Sequence, residues 1–111
     1  MAAFPMLRRK ADFEAVARQG IARSSRLMML RTLRTDGPVA RIGIATPRTL
    51  GGAVERNRVR RRLRALVHEH YGTLPSGIDL LVVARPEAAR ATWTELRDAF
   101  GSLLRRSDIG A

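Results

Sequence analysis

Residues 53 to 64 read AVERNRVRRRLR, the one stretch of this 111-residue chain where residue type and spacing together point to a chemistry. Arg56, Arg58, Arg60, Arg61, Arg62 and Arg64 stand against Glu55 alone, a local charge of +5. A guanidinium group binds phosphate through two parallel N–H bonds and stacks on bases, so clustered arginines suit a polyanion. On a helix of ~100° per residue, Val59, Leu63, Leu66 and Val67 fall in one sector and must pack inward. Arg56, Arg60 and Arg64 line one flank of that sector and Arg58 and Arg62 the other, while Asn57 and Arg61 point outward. A charge run is commonly a solvated, salt-bridged face, but Glu55 and Glu69 are the only acids on this helix. Most of its arginines therefore lack a local partner, and their mutual repulsion calls for a neutralising anion.

No comparable constellation for catalysis is present. His68 and His70 are two apart, so on a helix they diverge and share neither a metal nor a proton. His70 lies near the apolar stripe, where packing is the expected role. The ten acids are scattered without two-metal spacing, and Asp79 stands alone before its strand. With no cysteine there is neither a disulfide nor a thiolate site. No phosphate-binding glycine loop appears, Gly51-Gly52 reads as turn chemistry before a helix, and Trp93 as packing at a helix start. A self-sufficient nuclease is not expected, nor a metal or cofactor held by protein residues.

The elements that must position the arginines follow from periodicity. Phe13, Val16 and Ala17 lie at i, i+3 and i+4, predicting a helix over about residues 10–19, with Asp12 and Glu14 in its first turn. Gly20 is the expected left-handed cap. Residues 26–33 and 39–46 are short apolar runs separated by Thr35-Asp36-Gly37-Pro38, the pattern of an antiparallel hairpin. A loop, PRTLGG, precedes the basic helix over 53–70, which Gly72, Pro75 and Gly77 end. Residues 78–84, IDLLVVA, form the strongest strand, apolar enough to be buried on both faces. Thr92 and Glu95 make a capping box for a final helix to about Arg106, with Leu96, Phe100, Leu103 and Leu104 at helical spacing. The order is α-β-β-α-β-α, an α+β sandwich of a small mixed sheet with helices.

The whole chain carries 21 Lys or Arg against 10 Asp or Glu, a net charge of +11, and Lys10 is the only lysine. Its length suits one domain, residues 1–111, with an ordered core over about 7–106. Apolar residues at 45% supply a core, so disorder is excluded. The charge leaves nucleic acid or an acidic membrane surface as partner. Membrane-surface binding lacks the aromatic-rich apolar face it needs, and no apolar run approaches a span or a secretory leader. A helix-turn-helix DNA regulator needs a helix just before the basic one, where PRTLGG and a strand stand. The expectation is a soluble, cytoplasmic RNA-binding protein, with no protein oligomer predicted.

RIGIATPRTLGGAVERNRVRRRLRALV resembles the signature of the bacterial ribonuclease P protein component, in which a strand leads through a Gly-Ala-Val turn into an Arg-Asn-Arg helix. LRRKADFEAVARQG resembles that family's first helix and LPSGIDLLVVARP its later strand, so the likeness covers about Leu7 to Arg106. The resemblance implies an accessory subunit of an endoribonuclease whose RNA subunit carries the catalysis with Mg²⁺ and removes the 5′ leader of precursor tRNA. It implies that Arg56, Asn57, Arg58, Arg61, Arg62 and Arg64 face the RNA subunit. It also implies a cleft between the first helix and the sheet that holds the single-stranded leader, with Phe13 and Arg60 at it. Arg31, on the strand of residues 26–33, is a further candidate phosphate contact. Some members carry a second aromatic one turn after the first, where this chain has Ala17, and the Phe13–Val16 spacing equally suits a core face. The family fold further implies a left-handed crossover from residues 42–46 through the basic helix to 78–84, against the general right-handed rule. The alternative from composition is a structural RNA-binding protein of ribosomal type.

Overall fold

The computed structural model describes residues 4–107. The first helix, α1 (Lys10–Gln19), buries Val16 completely and leaves Lys10, Glu14 and Arg18 exposed. Gly20 ends it in an extended conformation, φ −71°, so the expected left-handed cap is not what the glycine supplies. Its role is close approach: a Cβ at Gly20 would stand 2.5 Å from the Val16 carbonyl oxygen and 3.1 Å from that of Thr32.

Four strands follow: β1 (Ile21–Ser24), β2 (Met28–Arg34), β3 (Ala40–Ala45) and β4 (Ile78–Ala84), in spatial order β1-β2-β4-β3. β4 pairs antiparallel with β2 and parallel with β3. The hairpin expected between residues 26–33 and 39–46 is therefore corrected, because β4 lies between those two strands. The reason is burial. A strand whose successive side chains are almost all inside needs a neighbour on each edge, and β4 takes a central place between β2 and β3. β1 adds a strand absent from the expected order; IARS lacks apolar alternation and is held as an edge by its ladder to β2.

The outer edge of β3 is covered by the N-terminal stretch, where the Leu7 amide donates to the Ile42 carbonyl at 2.8 Å and the Ile42 amide to that of Pro5 at 3.0 Å. Phe4 is buried and stacks on Tyr71. The Tyr71 hydroxyl donates to the Ala40 carbonyl at 2.7 Å, and burial raises its pKa.

Alternate residues of each strand face opposite layers. One sheet face carries the main core, where Leu30, Ile42, Leu80 and Val82 meet α2 (Ala53–His70) and α3 (Trp93–Arg106). Val59, Leu63, Leu66 and Val67 of α2 are each fully buried there, worth at most about 1.5–3 kcal/mol apiece. α3 adds Leu96, Phe100 and Leu103, and starts from the expected capping box: Glu95 N to Thr92 Oγ1 at 3.1 Å, Thr92 N to Glu95 Oε1 at 2.8 Å. The other face packs Leu81 on Leu7 and Val16 under α1. The result is a mixed sheet between two helical layers.

Candidate nucleic-acid interface

α2 is set by its buried stripe, and its arginines take three environments. Arg61 and Arg64 are exposed, and with Asn57 and Arg60 they line a groove of about 310 Å³. Arg60 is half-buried and reaches toward the sheet, donating to Asn57 Oδ1 at 2.7 Å and to Thr46 Oγ1 at 2.6 Å, just beyond β3. On the opposite flank Arg58 donates to the Ala89 carbonyl and Arg62 to the Ala91 carbonyl at 3.0 Å, so the turn at Pro86–Arg90 and the residue that caps it steady both. Arg56 is half-buried, with its Nε enclosed and without a hydrogen-bond partner. The expected flank of Arg56, Arg60 and Arg64 is thus a gradient from partly enclosed to open.

Charge pairing separates these residues from an ordinary salt-bridged surface. Among the described residues the ion pairs are Arg41 with Asp12 and Asp79, and Arg97 with Glu69. None of the six arginines on residues 56–64 takes part. Each keeps donors for an external acceptor, and steadied guanidinium groups lose less entropy on binding phosphate.

A second surface lies on the α1 side of the sheet. The Phe13 ring rests on Gly43 of β3, so closely that a Cβ at Gly43 would stand 2.8 Å from its Cε1. Phe13 is half-buried and packs against Leu7, Val16 and Leu81. Gly43, Leu81 and Arg31 form one cross-strand row, and Arg31 lies two strands from Gly43, about 10 Å. The next row, Ala45, Val83 and Met29, is half-buried and apolar. Arg60 bonds Thr46, the residue that follows Ala45. Phe13 and Arg31 thus belong to the α1 face of the sheet, while Arg60 belongs to α2 and meets the end of β3 at Thr46. Ala17 is exposed one turn after Phe13 and contributes no ring.

Sequence reasoning missed an ion cluster here. Asp79 does not stand alone: it is buried within β4 and accepts from Arg41 of β3, Nε to Oδ1 at 2.9 Å and Nη2 to Oδ2 at 2.7 Å. Arg41 Nη1 also reaches Asp12 Oδ2 of α1 at 3.3 Å. The hydrogen bond to Asp79 raises the pKa of Arg41. The available signal was one charge of each sign inside two apolar strands; parallel register brought them opposite. His70 packs as expected, Nδ1 3.0 Å from the Leu66 carbonyl and its ring edge-on to Phe100. Among the described residues no three His, Asp or Glu side chains gather as a metal site.

Arginines without carboxylate partners among the described residues on one side of a sheet, and a half-buried phenylalanine on the other, are the arrangement of a nucleic-acid-binding protein. The model of the Ribonuclease P family matches residues 1–108, and the chain belongs to that family. The ribonuclease P protein component of Acidothermus cellulolyticus is 42% identical over 102 residues, covering 90% of this chain and 85% of the relative. That of Kocuria rhizophila is 36% identical over 104 residues, covering 90% and 92%. The fold matches the Staphylococcus aureus RNase P protein with a TM-score of 0.88 at 23% identity, covering 98% of this chain and all of the other. The Thermotoga maritima protein matches with a TM-score of 0.81 at 24% identity, over 93% and 97%. The protein is accordingly an accessory subunit of an endoribonuclease ribonucleoprotein in tRNA processing, with RNA as its partner. This decides against the ribosomal-type alternative.

Proposed function

We propose that α2 binds the catalytic RNA subunit and that the cleft beside α1 holds the 5′ leader of precursor tRNA. The observation that carries this reading is the set of six α2 arginines without a carboxylate partner among the described residues. Arg56, Arg58, Arg61, Arg62 and Arg64, with Asn57 among them, meet phosphates of the RNA subunit. Phe13 offers a ring edge to leader bases, and Arg31 and Arg60 neutralise leader phosphates. Arg60 is the residue that joins the two RNAs in this reading, since it lines the α2 groove and bonds Thr46 at the end of β3.

Bond cleavage belongs to the RNA, which holds the Mg²⁺ the reaction requires. The protein's part is positioning and charge: it lowers repulsion between two polyanions and fixes the leader against the catalytic RNA. This work takes place in the cytoplasm, and the reading includes no protein oligomer. Reconstitution tests the reading. Adding the chain to the RNA subunit at limiting Mg²⁺ stimulates leader cleavage, and the charge-reversed pair Arg58→Glu with Arg61→Glu abolishes assembly. Unchanged assembly with that folded variant would sink the assignment of α2.

A further inference from the structure

The Asp12–Arg41–Asp79 cluster joins three elements on the cleft side of the sheet, and its parts differ in what they do. Asp79 has a side chain only 4% exposed, and two N–H groups of Arg41 satisfy it. That pair alone settles the buried carboxylate. The third bond, to Asp12, has side chains 36% and 26% exposed, and a pair that open to water adds little stability. Its effect is geometric, because Asp12 lies in the first turn of α1 and Phe13 follows it directly. Only the arginine fork grips Asp79 along one edge and still offers a donor to a second carboxylate.

The cluster lies along one flank of α1. Arg41 and Asp79 occupy the row that continues to Leu33 on β2, whereas the apolar row of Ala45, Val83 and Met29 lies four residues further along each strand. The Gly43 row runs between them beneath the helix. The far end of α1 is pinned separately, where Gly20 allows backbone contact with Thr32. The helix is therefore held at both ends, by ions at its start and by close packing at its finish.

We propose that Arg41 is a positioning residue for the leader: by holding Asp12 it fixes the start of α1, and with it Phe13, at the spacing the cleft requires. This rests on the reading that the leader lies beside α1. Arg41 itself need not touch RNA.

The test uses holoenzyme reconstituted with Asp12→Ala, Asp12→Glu, Arg41→Lys or Phe13→Ala protein. Binding and cleavage are measured for precursor tRNA with a long leader and for one with a single leader nucleotide. Asp12→Ala and Arg41→Lys should weaken the leader-dependent part of affinity about two- to fivefold, the range of a half-exposed ion pair. They should do so through KM, with kcat, the single-nucleotide substrate and RNA-subunit affinity unchanged, and Asp12→Glu should restore the affinity. Loss of affinity for both substrates in step with a lowered unfolding temperature overturns the proposal in favour of a purely structural cluster. If Phe13→Ala removes leader-dependent affinity while Asp12→Ala and Arg41→Lys do not, the positioning role falls and the cleft reading stands. If none of the variants alters it, both fall.

Discussion

Neutralising Arg61 and Arg64 together, as Arg61→Gln with Arg64→Gln, probes how α2 engages RNA. Both side chains are exposed, both line the groove with Asn57 and Arg60, and neither forms an ion pair among the described residues. They are two of the five arginines assigned to the RNA subunit. Each phosphate contact contributes about 0.9 to the slope of log affinity against log salt, so five contacts give a slope of about −4.5. Binding then weakens about 500-fold between about 50 and 200 mM salt, and with three contacts left it weakens only about 40-fold. Exposed substitutions of this kind alter stability by no more than about 0.5 kcal/mol, so the fold remains intact. Filter-binding titrations of the RNA subunit over a salt series read the slope, and circular dichroism reads the fold. A slope unchanged in the folded double variant would refute the argument, because the two guanidinium groups would then release no counter-ions.

Three further outcomes follow from the packing. Gly43→Ala places a methyl group 2.8 Å from Phe13 Cε1 and 3.0 Å from Leu7 Cδ1, an overpacking that costs about 1–3 kcal/mol in urea unfolding and lifts α1. Asp79→Ala leaves Arg41 without its main partner. It should cost about 2–3 kcal/mol in the same assay, less than the 3–5 of a fully buried pair because Arg41 is 36% exposed. Thr92→Ala removes the cap of α3 and should cost about 1 kcal/mol by thermal unfolding. Bonds from the Thr92 backbone and side chain hold the Glu95 pKa below its ordinary value. That contribution is present above the ordinary carboxylate pKa and lost as pH falls through the lowered one, so Glu95→Gln, which removes the titrating carboxylate, should flatten the acid limb of the stability curve.

How much of the molecule was legible differs by element. α1, α2 and β4 match their expected bounds, and α3 its capping box and buried residues, because each signal is local: apolar spacing, a cap and a burial pattern. The two flanks of α2 were readable for the same reason, since helix geometry turns sequence order into direction. What failed was pairing. An Asp-Gly turn between two apolar runs is a local hairpin signal, and it lost to β4, whose near-continuous burial demands partners on both edges.

The sequence by itself determined that this chain carries an arginine-rich helix with one apolar stripe, far too few acids to neutralise it, and hence a polyanionic partner. These are matters of composition and of contacts a few residues apart. The tertiary structure alone decided that Arg41 meets Asp79 across 38 residues, that Arg58 and Arg62 rest on the carbonyls of Ala89 and Ala91, and that Phe13 lies on Gly43. Such contacts depend on strand order and register, which are set by burying the two faces of one sheet at once. No window of sequence contains that sum, so the seating of Phe13 on Gly43 becomes visible only when the sheet is assembled.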